Sequence, residues 1–151
     1  MIYIGRDEEH IKLEELERVP KHLPTPGDVR INATVRLQQF SGSYSGVWLA
    51  RPELEKFVEQ LSSLVGTNQG VAKLESMGPG EFSLEIRYAS STFEVVVQLG
   101  RHQYSGPTYW PTKLSGGFGI EGSQLGSILA SFQSLLEPEV EMGSVLENGH
   151  I

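Results

Sequence analysis

The residues of this chain best suited to general-base or zinc chemistry are His10, His22, His102 and His150, because imidazole titrates near neutral pH and binds borderline metals. None has a second histidine at ligand spacing, such as four residues away on a helix. Asp7, Glu8 and Glu9 precede His10, but sequence neighbours in a strand or turn do not all converge on one ion. A serine nucleophile needs a base and an oxyanion hole. The segments FSGSYSG and KLSGGFGIEGS place serines beside glycines, yet Gly42 and Gly46 bracket Tyr44, and Ser115 lacks the flanking glycines of a nucleophile elbow. Gly100, Gly106, Gly116, Gly117 and Gly119 do not form a strand-to-helix phosphate cradle. The residues therefore predict no catalytic centre, no metal and no cofactor.

What stands out instead is interface chemistry. Tyr104, Tyr109 and Trp110, with Arg101 and His102, crowd one Gly- and Pro-rich stretch, and Tyr44 and Trp48 lie in and just after an earlier Gly-Ser segment. Tyr, Trp and Arg dominate binding hot spots, and loops on a rigid frame commonly carry binding. The same aromatics also read as a cap over the open end of a sheet, fixed by Pro107 and Pro111. A second candidate surface is acidic and comprises Asp7, Glu8, Glu9, Glu14, Glu15 and Glu17.

The formal charge is −7, and residues 137–151 and 1–28 carry all of it, with the middle of the chain neutral. Such a balance disfavours nucleic-acid binding, which relies on Lys and Arg at phosphates, and disfavours anionic membranes. It suits a basic protein partner, whose encounter it would speed. It also serves solubility alone.

At 151 residues the chain has the length of one ordinary domain. With 38% apolar and 21% charged residues it falls in the globular range. The absence of cysteine removes disulfides, thiolate nucleophiles and Cys-ligated metals, and points to a reducing, cytoplasmic home. No signal peptide or membrane span is evident, so a soluble, unexported protein is expected.

These residues need elements to position them. Ile11 and Leu13 alternate with charged neighbours as in a strand, although Leu16 and Val19 fit helical spacing about as well. Pro20, Pro24, Pro26 and Gly27 make the next stretch irregular. Val29, Ile31, Ala33, Val35 and Leu37 then alternate with polar residues in the clearest strand signal of the chain. Residues 40–46 read as a loop, Val47–Leu49 as a short strand, and Arg51 onward as a helix started by Pro52 and closed by Gly66. Three runs, Val71–Met77, Glu81–Tyr88 and Thr92–Leu99, have connections short enough only for antiparallel neighbours. Residues 100–113 read as an irregular loop, Leu114–Glu121 as ordered chain, and a second helix starts near Gly122 with Ser123 as N-cap. The class expected is α+β: a mostly antiparallel sheet of about six or seven strands with two amphipathic helices packed on one side. Residues 1–136 form one domain in this reading, and 137–151 an acidic, flexible tail.

The passages FSGSYSGVWLARPELEKFVEQLSSL, GVAKLESM, EFSLEIRY, FEVVVQLG and GGFGIEGSQLGSILASFQSLL together resemble the WapI-type immunity proteins, and also uncharacterised bacterial domains of similar length. The likeness rests on scaffold features: the Trp48 strand before a proline-started helix, the strand led by Gly70, and the Phe118 and Ile120 strand before a final helix. It implies a non-enzymatic cytoplasmic protein that binds and neutralises the C-terminal domain of a contact-dependent bacterial toxin. It assigns no toxin-contacting residues. Two other classes stay open: a structural or regulatory interaction domain, monomeric or homodimeric through a sheet edge, and an enzyme whose pocket would be lined by His102, Arg101 or Glu121.

Overall fold

A computed structural model describes residues 1–137. Successive apolar residues at every second position give each extended segment one apolar and one polar face. The first four are β1 (Ile2–Arg6), β2 (Glu9–Arg18), β3 (Val29–Leu37) and β4 (Phe40–Leu49), and they pair antiparallel in sequence order as one sheet. After helix α1 (Arg51–Thr67) come β5 (Val71–Glu75), β6 (Phe82–Ala89) and β7 (Thr92–Arg101). A two-stranded ribbon, β8 (Tyr104–Ser105) with β9 (Thr108–Tyr109), precedes β10 (Thr112–Ile120) and helix α2 (Gly122–Leu136). The second four-stranded sheet has the order β10-β7-β6-β5 and is antiparallel throughout.

The fold is α+β, as the patterning predicts, but its ten strands divide among three sheets instead of forming one of six or seven. Alternation fixes which face of a strand is buried, not which strand lies beside it. Several boundaries differ for local reasons. Residues 2–6 form a strand that the sequence reading left unassigned, and the stretch from Glu9 to Arg18 is a strand throughout, with a pairing shift at Leu16. The Gly-Ser segment is the first part of β4, with Phe40, Gly42 and Tyr44 opposite the inward residues Leu37, Val35 and Ala33. A one-residue shift at Gly46 then brings Val47 and Leu49 back to the buried face. Residues 104–109 pair as a hairpin where an irregular loop was expected. Asn68, in the left-handed conformation, ends α1 in place of Gly66. Glu121, paired with Gln124 in a capping box, starts α2 in place of Ser123.

The inner faces of both sheets and the helices share one core. α1 buries Leu54, Phe57, Leu61 and Leu64 and α2 buries Leu125, Ile128, Phe132 and Leu136, with Phe57 and Phe132 edge to face at 4.8 Å. α1 packs on β5 and β6, and α2 on α1 and β1, so the helix pair joins one sheet to the other. Elsewhere the sheets meet directly through β10, where Phe118 lies over Gly5 of β1 and Leu37 of β3 fills the space beside Gly116. Gly5 has φ +106°, and a Cβ there would lie 2.9 Å from the Phe118 ring and collide with the Glu9 carbonyl.

Ala50 at the start of α1 offers no side-chain cap. Asp28 supplies one from the other end of the preceding hairpin, as its Oδ1 accepts the Arg51 N–H at 2.8 Å. Asp28 is the one buried charged residue among those described, at 5% exposure. Its main chain also closes the proline-rich segment, because the Asp28 carbonyl accepts the Val19 N–H at 2.9 Å.

Two predictions follow from these contacts and are read by urea denaturation. Gly5→Ala should cost about 2–3 kcal/mol, through positive φ and the backbone collision together. Asp28→Ala should cost about 1–3 kcal/mol, whereas Asp28→Asn, which keeps an acceptor and loses the charge at the helix N-terminus, should cost about 1 kcal/mol or less.

Candidate functional site

Beyond Leu114 the two sheets separate, and a cleft of about 570 Å³ opens between residues 40–45 of β4 and residues 99–101 and 112–114 of β7 and β10. Strand parity puts Phe40, Gly42 and Tyr44 on one wall and Leu99, Arg101, Thr112 and Leu114 on the other. The Tyr44 hydroxyl donates to Glu81 Oε2 at 2.9 Å. That bond, then burial, then the repulsion an anionic phenolate would feel from Glu81, raise the Tyr44 pKa, and the positive charge of Arg101 partly opposes the rise. Arg101 makes no ion pair with any described carboxylate.

The β8–β9 hairpin lies in the chain between Arg101 and Thr112, which both line this cleft. It carries Tyr104, Tyr109 and Trp110 with 70%, 43% and 60% of their surface exposed. His102 holds it in place. Its Nε2 is 3.2 Å from the Pro79 carbonyl oxygen, and its Nδ1 shares a hydrogen bond with the Tyr109 hydroxyl. The His102 and Tyr109 rings stack within 8° of parallel, and Tyr104 lies 5.2 Å from Tyr109. The fold thus brings His102, Tyr104 and Tyr109 into contact, with Arg101 preceding and Trp110 following them in the chain.

It does not gather the six acids. Asp7, Glu8 and Glu9 sit at the β1–β2 turn, beside Phe118 and Gly119 at the far end of β10. Glu14, Glu15 and Glu17 lie toward the other end of β2, where Glu15 pairs with Arg18 at 2.7 Å and Glu17 with Arg30 at 2.6 Å. His10 fastens the turn, with Nδ1 at 3.1 Å from the carbonyls of both Arg6 and Asp7 and its ring stacked on Tyr3. His22 is exposed in the proline-rich segment. His150 and residues 138–151 of the acidic tail lie outside the described residues. Among the described residues no three His, Asp or Glu side chains are grouped so as to hold a metal ion, and no helix is long and apolar enough to cross a membrane.

Sequence reasoning singled out Tyr44 by residue type but missed the contribution of Phe40, Gly42 and Glu81 to this site. The available signal was the alternation of Phe40, Gly42 and Tyr44 with serines, which places them on one strand face.

Replacing Tyr44 tests the cleft wall. Because the Tyr44 pKa is raised on folding, its contribution is complete below about pH 10 and is lost as pH rises through the folded value. Tyr44→Phe should therefore cost about 1 kcal/mol at neutral pH. It should also flatten the fall in stability above about pH 10, followed by urea midpoints across that range.

No curated protein and no solved structure matches the chain at a significant level. A family model, Immunity protein WapI-like family, matches residues 1–139, and so takes in both sheets, both helices and the cleft with its aromatic hairpin. The chain belongs to the WapI-like immunity protein family.

Proposed function

We propose that this protein neutralises a bacterial toxin domain in the cytoplasm by tight binding, without catalysis. The observation that carries the reading is the family match over residues 1–139. The site chemistry supports it. A binder needs exposed hot-spot residues on a rigid frame, and three exposed aromatics stand on a hairpin held by His102.

The contact surface of this reading runs along β10, from Tyr104, Tyr109 and Trp110 at its Thr112 end to Asp7, Glu8 and Glu9 at its Phe118 end. Six residues of strand span roughly 20 Å, within the reach of one standard protein interface. Glu15 and Glu17 stand apart from this surface, since Arg18 and Arg30 already neutralise them. Glu14 stands apart with them, on the face away from the core.

A second reading, self-association without a toxin, has its own support. β10 is an edge strand of nine residues with no proline and one lysine, and so lacks the usual protections against strand addition.

Co-expression with the C-terminal domain of whichever toxin is found to be encoded beside the gene tests the first reading. The expected outcome is restored growth and a one-to-one complex of about nanomolar affinity by calorimetry, some 12 kcal/mol of binding free energy. Charge reversal of Asp7, Glu8 and Glu9 should chiefly slow association and weaken its salt dependence, and Trp110→Ala should speed dissociation. Growth arrest despite expression, with a symmetric dimer in size-exclusion chromatography, would replace the toxin reading by the self-association one.

A further inference from the structure

The cleft beside the hairpin combines features that select one kind of occupant. Its deep wall is apolar, formed by Leu99 and Leu114, and Phe40 stands at its lip with 70% of its surface exposed. Arg101 projects from the same strand face as Leu99, and no described carboxylate pairs with it. Glu81 accepts a hydrogen bond from the Tyr44 hydroxyl and forms no ion pair with Arg101. A guanidinium that makes no ion pair with a described carboxylate, at the rim of an apolar slot, offers two parallel donors to an incoming carboxylate.

The shape points to an extended chain. β4 and β10 are both outermost strands, and apart from the Trp48 carbonyl of β4, which accepts the Met77 N–H, no described strand pairs with their outer edges. Gly42 keeps the slot open, because a Cβ there would already touch Leu114 at 3.4 Å and Leu99 at 4.0 Å.

We propose that this cleft docks an extended segment of the protein partner in which an aspartate or glutamate stands beside a bulky apolar side chain, the carboxylate on Arg101 and the apolar group against Leu99 and Leu114. The proposal rests on the binding role argued above and adds the chemistry of the segment recognised. It reverses the complementarity expected from net charge, since at this point the acid comes from the partner.

Selection from a phage-displayed library of random short peptides on the immobilised protein tests it, with Arg101→Gln and Gly42→Leu as counter-targets. Thermal melts establish that each variant is folded, and Arg101→Lys serves as the conservative control should Gly42→Leu fail to fold. The expected ligands carry Asp or Glu within two residues of Leu, Ile, Phe or Trp. They should bind Arg101→Gln about 10- to 100-fold more weakly and recover part of the loss in Arg101→Lys. Ligands without acidic residues, acidic ligands indifferent to Arg101→Gln, or no ligands at all would overturn the proposal, as would a second copy of this chain occupying the cleft. The two readings fail separately. A toxin domain bound and neutralised equally by wild type, Arg101→Gln and Gly42→Leu would remove the cleft and leave the immunity role. Acidic ligands lost in the variants, with no toxin domain bound, would keep the cleft and remove the toxin.

Discussion

One edge strand has to pack against the opposing sheet, and β10 does so by exchanging side-chain volume with it. Phe118 covers Gly5, and Leu37 fills the space beside Gly116, so large residues from each sheet enter space the other leaves empty. Interiors are packed to crystal-like density, and two sheets bearing large residues at every inward position would stay farther apart. This contact holds β10 against β1 and β3, and with it the path of the chain into α2. The exchange ends at Leu114. Past that point Gly42 faces Leu114 and Leu99 without filling the gap, and the sheets separate into the cleft.

The other end of the molecule is closed by a helix pair whose anchorage is electrostatic as well as apolar. Asp28 lies 23 residues from Arg51 in sequence, yet its carboxylate accepts the first amide of α1 and faces the positive end of that helix. The same residue closes the proline-rich segment through its carbonyl. A single buried acid therefore ties the β2–β3 connection to the link between the sheets, and its burial is tolerable because the charge is hydrogen-bonded at a helix N-terminus.

Charge in this protein acts locally. The excess of acids does not create one acidic face, since Glu15 and Glu17 are consumed by Arg18 and Arg30 and the turn acids lie at the opposite end of the hairpin. The cleft, in contrast, carries Arg101, which pairs with no described carboxylate, in a chain of net charge −7. For a member of an immunity family, such local contrasts bear more on partner choice than the net charge does, because complementarity is decided within about a Debye length, roughly 8–10 Å at physiological salt.

The alternation from Val29 to Leu37, the proline-started helix at Pro52 and the short links of the β5–β7 meander were legible because each is set by neighbouring residues: side-chain period, a fixed φ and connection length. The aromatic cluster was legible too, as residue types crowded into one stretch. The first half of β4 was not, since Gly and Ser have low strand propensity and Phe40–Ser45 is strand only through pairing with β3. Nor were the division into two sheets, the cap supplied by Asp28, or the cleft wall built from Tyr44 and Glu81. Each joins residues far apart in the chain, and local pattern states which face is buried without stating what covers it. The sequence by itself determined the periodicities, the helix start, the loop chemistry and the family. The tertiary structure alone decided which strands became neighbours, which acids were neutralised and where the sheets parted, because those depend on packing volume and charge distance in space.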